Sequence, residues 1–167
     1  MGHVTVYGEP GRFGGWMTPE YEGWSITPST VRLPGGRLVS AVRCRDKKRS
    51  WLPVFASDDQ GRSWSQLSEV SPDTGGAGNP AAMIALADGR LCCTYGVRNV
   101  PYGIRARLSE DGGSTWDREI ILRADGGCWD LGYPRTVHRP DGRVVRAYYF
   151  NDHQSSERYI AATIWKP

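Results

Sequence analysis

The stretch SDDQGRSW, residues 57–64, returns further along the chain as SEDGGSTW, residues 109–116. The first box begins at Ser57 and the second box at Ser109, 52 residues apart, and both read S-x-D-x-G-x-S/T-W. A fixed period of roughly 40–50 residues that carries a turn signature is typical of propellers and other repeat folds. The repeat therefore predicts a fold built from equivalent units of this length.

Each residue type in the boxes suits a tight turn. The aspartate is a short acceptor for nearby backbone N–H groups, and the glycine permits positive φ. The hydroxyls bond the same loop, while the tryptophan supplies an apolar face with one N–H to satisfy. We therefore assign a structural role to Ser57, Asp59, Gly61, Trp64, Ser109, Asp111, Gly113 and Trp116.

The repeat extends beyond the boxes. Turns at Gly36, Gly89 and Gly142, each 53 residues after the last, separate apolar runs and predict β-hairpins. A third strand is predicted at 51–56, 103–108 and 158–165, and a fourth at 66–70 and 119–123. Four antiparallel strands per repeat form a propeller blade, which predicts blades at roughly 28–72, 79–124 and 133–167.

The third repeat ends before its fourth strand. A spare strand at 3–7 is predicted to complete a last blade, which gives one all-β domain of three blades over 1–167. Propellers typically have about four to eight blades, so three form half of a six-bladed ring. Symmetric closure predicts a homodimer. The alternative is that the chain is a fragment of a longer protein.

Composition limits the functions that the chain can have. A net charge of +3 is too small for a nucleic-acid binder, and the basic run at 43–49 is expected to be a solvated hairpin loop. The sequence shows no transmembrane run or targeting motif, so we expect a cytoplasmic protein without a membrane partner. The four cysteines lack metal-ligand spacing, and neither a metal nor a cofactor is expected.

The loops of such a fold lie at the two opposite ends of its blades. The glycine turns and both boxes share one end, whereas the long, varied connections lie at the other, where a site is expected. Arginine binds carboxylates in a bidentate manner, aromatic rings offer flat platforms, and carboxylates can perform acid–base chemistry. A site lined by these three residue types suits an anionic or hydroxyl-rich ligand such as a sugar. The candidate binding residues are Arg43, Arg98, Arg135, Asn79, Asn151, Trp24 and Trp129.

The boxes resemble the Asp-box repeats of the sialidase superfamily. The segments WDLGYP (129–134), AYYFN (147–151) and RYIAA (158–162) are similar to the final blade of bacterial sialidase-like proteins, and YGEPGRFGGW (7–16) is similar to their start. The resemblance implies a six-bladed propeller. The chain is about half the family length and lacks the Phe/Tyr-Arg-Ile-Pro motif.

Members of that family hydrolyse terminal sialic acid with retention, using an arginine triad, a tyrosine nucleophile assisted by a glutamate, and an aspartate. Tyrosine nucleophiles are an exception to the usual two-carboxylate scheme. The resemblance implies Tyr133 as nucleophile, Asp130 or Asp152 as acid and Glu20 or Glu22 as the tyrosine's helper. Three hypotheses follow: a sialidase-type hydrolase, a catalytically silent carbohydrate-binding propeller, or a scaffold for a protein partner.

Overall fold

The computed structural model describes residues 2–8, 23–76, 80–152 and 155–167, without the side chains of residues 155 and 156. Within these ranges the chain forms eleven β-strands and no helix, and therefore no apolar helix of membrane-spanning length. The strands are β1 Trp24–Arg32, β2 Leu38–Arg45, β3 Ser50–Ser57, β4 Ser65–Ser71, β5 Ala82–Ala85, β6 Leu91–Val97, β7 Gly103–Ser109, β8 Ile120–Arg123, β9 Gly132–His138, β10 Val144–Asp152 and β11 Ser155–Trp165.

These strands form three sheets in which neighbours in sequence pair side by side. Sheet 1 has the order β1-β2-β3-β4, sheet 2 the order β5-β6-β7-β8, and sheet 3 the order β9-β10-β11. Every pairing is antiparallel. The all-β class predicted from the repeat is confirmed, with sheets 1 and 2 each having four strands.

The same turn joins the first two strands of every sheet. In sheet 1 the Gly36 amide donates to the Leu33 carbonyl at 3.0 Å, and the Leu33 amide donates to the Arg37 carbonyl at 2.8 Å. Equivalent pairs of bonds recur at Gly89 and Gly142, and the three glycines have φ values of 97, 90 and 78°. Glycine adopts such angles without steric cost, which explains why the repeat places it there.

The first strands of the three sheets lie beside one another. β1 contacts β5 and β5 contacts β9, so the sheets extend outward from a shared inner edge. Alternate residues of each strand point to one face, and those faces form the cores between sheets. Val39, Leu52 and Tyr95 belong to the core between sheets 1 and 2, and Ile104 and Phe150 to a core between sheets 2 and 3.

The N-terminal segment does not complete the last sheet of its own chain. Residues 2–8 contain no strand, and sheet 3 has three strands. Val6 and Tyr7 instead pack on a sheet 1 cluster that includes Trp51 and Phe55, and the Tyr7 and Phe55 rings stack with centroids 4.8 Å apart. The prediction of a strand at 3–7 is therefore wrong for the single chain, because these apolar contacts hold the segment on sheet 1.

Sheet 3 presents an apolar face to solvent. Val145 pairs with Val137 on one side and with Ile164 on the other, so these residues share a face. Val137 is 60% exposed, Ile164 55% and the neighbouring Ile160 78%. An open set of sheets leaves such a face uncovered, whereas the inner faces of sheets 1 and 2 are buried against each other.

The boxes lie at one end of the sheets. The Arg37 guanidinium, in the first glycine turn, pairs with the Asp58 carboxylate of the first box at 2.9 Å. This end, which holds the glycine turns and both boxes, is called the box end. The opposite end, called the loop end, carries the β2–β3, β6–β7 and β10–β11 connections and the crossings between sheets.

Candidate functional site

The loop end brings together side chains from all three sheets. Trp24 begins β1 and Arg43 lies near the end of β2, while Arg98 follows β6 directly. Trp129 and Asp130 precede β9, Tyr133 lies at its start, and Tyr149 lies near the end of β10. These residues lie at or next to the ends of strands, and because neighbouring strands end side by side, their side chains come together at the loop end. We call this group of seven residues the arginine–aromatic site.

Arg98, Tyr149 and Asp130 form its hydrogen-bonded centre. The Arg98 guanidinium donates to the Tyr149 hydroxyl at 3.2 Å and to the Leu131 carbonyl at 3.1 Å. The Tyr149 hydroxyl donates to Asp130 Oδ1 at 2.6 Å, and Arg158 Nε donates to Asp130 Oδ2 at 3.0 Å. The site is thus a charged network in which one carboxylate is shared by a tyrosine and an arginine.

This network shifts the pKa values of two of its members. The Tyr149 hydrogen bond, followed by that of Arg158, holds the pKa of Asp130 below its ordinary value. Burial, reinforced by the bond to Asp130, raises the pKa of Tyr149. Asp130 is therefore ionised near neutral pH, and it suits the role of a charge partner better than that of a proton-donating acid.

Arg43 is the second buried guanidinium of the site. It is 4% exposed and lies 4.2 Å from the centroid of the Trp24 ring. Burial lowers the pKa of Arg43, whereas a hydrogen bond to Tyr133 raises it, and the nearby charges of Arg98 and Arg45 lower it further. The positive charge of Arg98 thus disfavours that of Arg43, and a bound anion would reduce this repulsion.

Two aromatic residues give the site a solvent-facing surface. Tyr133 is 50% exposed and Trp129 51% exposed. The Tyr133 ring lies 5.8 Å from that of Tyr149, and the Arg98 guanidinium lies 5.2 Å from the Trp129 ring. Tyr133 also has a φ of 50°, which is uncommon for a non-glycine residue. These rings are the accessible platforms on which a ligand could stack.

Other predicted site residues have different surroundings. Asn151 is buried, donating to the Asp130 carbonyl at 2.6 Å and accepting from the Cys128 amide at 2.8 Å, so it holds the loop before β9. Asp152 accepts a hydrogen bond from Tyr159 at 2.8 Å. Arg135 is exposed and donates to the Pro134 carbonyl at 3.2 Å. Direct ligand contact by these three residues stays a prediction.

The predicted residues Glu20, Glu22 and Asn79 lie outside the described residues. Sequence reasoning missed Tyr149 and Arg158, which complete the hydrogen bonds of Asp130. Both lie near the loop end of paired strands, at positions that the predicted hairpin register could have identified. Within the described ranges, no group of three or more His, Cys, Asp and Glu side chains could hold a metal ion.

Three radiating antiparallel sheets with an arginine–aromatic site at one end define the chain as a β-propeller-type protein. It belongs to the BNR repeat-like domain family, whose model matches residues 10–145. This confirms the resemblance drawn from the boxes and the neighbouring segments. No curated protein matched the chain.

Solved structures give the same fold. A Dyadobacter fermentans protein of unknown function is 32% identical with a TM-score of 0.71, over 86% of this chain and 38% of that one. A Penicillium chrysogenum alpha-L-arabinanase, complexed with arabinobiose, is 17% identical with a TM-score of 0.68, over 96% and 49% of the two chains. A Hadza microbial sialidase is 15% identical with a TM-score of 0.57, over 89% and 33%. The chain therefore spans less than half the length of each.

Proposed function

We propose that the arginine–aromatic site binds a saccharide that carries an acidic group. The observation that carries this proposal is the pair of buried guanidiniums, Arg43 and Arg98, beside the half-exposed rings of Trp129 and Tyr133. A guanidinium binds a carboxylate through two parallel hydrogen bonds, and a sugar ring packs on an aromatic face. The arabinobiose and the sialidase activity named for two similar structures support a saccharide as the ligand class.

Binding is tested by titrating the full chain with N-acetylneuraminic acid and, separately, with arabinobiose, while tryptophan fluorescence is followed. We expect the acidic sugar to bind more tightly than the neutral one, and Trp129→Ala to weaken binding about tenfold because one stacking surface is lost. Arg118→Ala, an exposed arginine at the box end, is the matched surface control. Absence of binding by both sugars would contradict the proposal.

Hydrolysis of a terminal sialic acid is the second candidate function. It is favoured by Tyr133, which is half exposed, hydrogen-bonded to Arg43 and close to Tyr149, so that it is open to solvent beside a positive charge. A fluorogenic sialoside separates binding from turnover, with Tyr133→Phe as the inactive control. No turnover by the unmodified chain, despite saccharide binding, would leave a carbohydrate-binding propeller. A silent site with neither activity would favour a protein-interaction scaffold.

We further propose that a second copy of the chain completes a six-bladed ring. The exposed apolar face of sheet 3, with Val137, Ile160 and Ile164, is the surface that an adjacent blade would cover. Light scattering measures the mass in solution. Ile160→Asp should convert a dimer to a monomer, whereas Ile121→Asp, at a residue 63% exposed on β8 of sheet 2, should not. A dilution-stable monomer of the unmodified chain would contradict this proposal.

A further inference from the structure

A second, strongly basic pocket lies at the loop end beside the arginine–aromatic site. Its volume is about 220 Å³, and its lining includes Arg45, Lys47, Lys48, Arg49, Asp73 and Asn99. The β2–β3 turn supplies the cations, and the segment after β4 supplies the opposite wall. The basic run that the sequence suggests is a solvated loop is thus one side of a concave surface, which we call the basic pocket.

The positive charge of the basic pocket exceeds its negative charge. Arg45, Lys47 and Lys48 form no ion pair within the described part of the chain, whereas Arg49 pairs with Glu69 at 3.6 Å. Lys47 and Lys48 are exposed. These three cations leave a net attraction for an anion at this surface.

The two lining carboxylates already accept hydrogen bonds from the protein. Asp46 Oδ1 accepts from the Lys48 and Arg49 amides at 2.8 and 2.9 Å, which fixes the turn. Asp73 accepts from the Gly75 amide at 2.8 Å and from the Asn99 side chain at 3.4 Å. Both carboxylates therefore shape the pocket walls.

Hydrogen bonds between segments hold the pocket wall in place. The Thr74 amide donates to the Ser50 carbonyl at 2.7 Å, and the Arg98 amide donates to the Thr74 carbonyl at 2.7 Å. The Ser50 hydroxyl donates to the Gly76 carbonyl at 2.9 Å. A Cβ at Gly75 would lie 2.3 Å from the Asn99 side chain, so only glycine permits this close approach. The pocket is thus preformed, which lowers the entropic cost of binding.

The basic pocket is linked to the arginine–aromatic site along the chain in two places. Arg43 faces the site and Arg45, two residues along β2, lines the pocket; likewise Arg98 belongs to the site and Asn99 to the pocket. Repulsion from Arg45 also contributes to the lowered pKa of Arg43. A ligand seated on Trp129 and Arg98 would therefore have a second positive region within reach.

We propose that the basic pocket binds an oxyanion substituent, a sulfate ester or a carboxylate, carried by the saccharide that occupies the arginine–aromatic site. Lysine ammonium and arginine guanidinium groups together offer hydrogen-bond donors in several directions, as an oxyanion with several acceptor oxygens requires. This inference rests on the proposed saccharide function, and it predicts a ligand with at least two acidic groups. The lysines supply binding and take no part in any reaction.

The first experiment uses simple anions. Sodium sulfate and, separately, sodium acetate are titrated into the ¹⁵N-labelled full chain at constant ionic strength, balanced with sodium chloride. We expect saturable amide shifts at Lys48, Arg49, Gly75 and Asn99, and the stronger of the two responses identifies the sulfate or carboxylate source. Lys47→Ser/Lys48→Ser should weaken the response about tenfold. The control, Arg118→Ser/Lys166→Ser, removes the same charge from exposed box-end residues.

The second experiment compares sulfated and unsulfated chondroitin tetrasaccharides. Sulfation should strengthen binding about tenfold for the unmodified chain and for the control variant, but not for Lys47→Ser/Lys48→Ser. Equal weakening by both double variants, or no saturable shift with either anion, would contradict anion binding in the basic pocket. Neither result would affect the proposed saccharide binding at the arginine–aromatic site. Sulfate binding without saccharide binding would support the anion site, while overturning the saccharide function and the assignment that rests on it.

Discussion

The two boxes adopt the same turn but have different neighbours. In the first box Asp59 accepts from the Ser57 hydroxyl and the Ser63 amide and hydroxyl at 2.8, 2.9 and 2.6 Å. In the second box Asp111 repeats these bonds with Ser109 and Thr115 at 2.9, 2.9 and 2.6 Å. The internal network therefore follows from the box sequence alone, whatever the sheet that carries it.

The tryptophans show where the boxes differ. Trp64 Nε1 donates to the Gly61 carbonyl of its own box at 3.2 Å, whereas Trp116 Nε1 donates to the Ser68 hydroxyl of sheet 1 at 3.0 Å. Trp116 packs against the core between sheets 1 and 2, and Trp64 packs on the sheet 1 cluster that Tyr7 covers. The first box is thus a turn of one sheet, while the second box also joins two sheets.

Removing the tryptophans should give the largest difference between the boxes. Trp116→Ala takes a large ring from the core between sheets, and we expect a loss of about 3 kcal/mol in the free energy of unfolding. Trp64→Ala removes contacts within a single sheet and should cost about 1–2 kcal/mol. Urea unfolding followed by circular dichroism measures both. Equal losses would mean that the second box does not join the sheets.

Alanine substitution of the box glycine should also destabilise the protein more in the second box than in the first. Gly61 and Gly113 have φ values of 88 and 95°, so alanine at either position is strained by about 1–2 kcal/mol. At Gly113 the new Cβ would also lie 3.3 Å from Val39 Cγ1 and 3.4 Å from Leu91 Cδ1, which adds a crowding cost of about 1 kcal/mol. Gly113→Ala should therefore have a lower thermal midpoint than Gly61→Ala. The reverse order would contradict the tighter packing of the second box.

The Ser68 hydroxyl is the polar part of the link between sheets. It accepts from Trp116 and donates to the Gly113 carbonyl, so Ser68→Ala leaves two partly buried groups without that partner, at a cost of about 1–2 kcal/mol. Ser65→Ala, at an exposed position of the same strand, is the control. A double-mutant cycle with Trp116→Phe should show coupling between the two positions. Additive losses would show that this bond contributes no stability.

The sequence predicts what depends on neighbouring residues in the chain. The glycine turns and box bonds recur because each is made within a few residues of Gly36, Gly89 or Asp59. The partner of Trp116 could not be predicted, because it depends on how sheet 1 packs on sheet 2. The prediction of a strand at 3–7 is wrong for the same reason. Alternating apolar residues suit a strand, but contact with Phe55 determines where the segment lies.

The site shows the same limit. Residue type and place in the loops predict Arg43, Arg98 and Trp129, and the resemblance to the sialidase superfamily adds Tyr133. Tyr149 was missed because it lies within a strand and reads as core, although its hydroxyl contacts Asp130. Side chains near strand ends therefore need to be considered together with the loops that follow them.

In acid the first box should lose more stability than the second, the opposite of the order expected for the tryptophan and glycine substitutions. Hydrogen bonds from the Ser63 hydroxyl and amide hold the pKa of Asp59 well below its ordinary value, and those from Thr115 lower the pKa of Asp111 to about 2. A carboxylate with a lowered pKa stabilises the fold above its unfolded-state pKa, and this contribution is lost as pH falls towards the folded-state value. Between about pH 4 and pH 2 the stability should therefore decrease, with Asp59 contributing more than Asp111.

Carboxyl carbon NMR titration of the folded chain tests this order directly. Asp59 should titrate at lower pH than Asp111, since its pKa is the more strongly lowered. Asp59→Asn should then flatten the dependence of unfolding free energy on pH below 4 more than Asp111→Asn does. The box that contributes less to packing between sheets would thus contribute more to acid sensitivity. Two identical titrations would instead show that the turn bonds lower the pKa values of both aspartates equally, and the contrast between the boxes would be confined to their tryptophans.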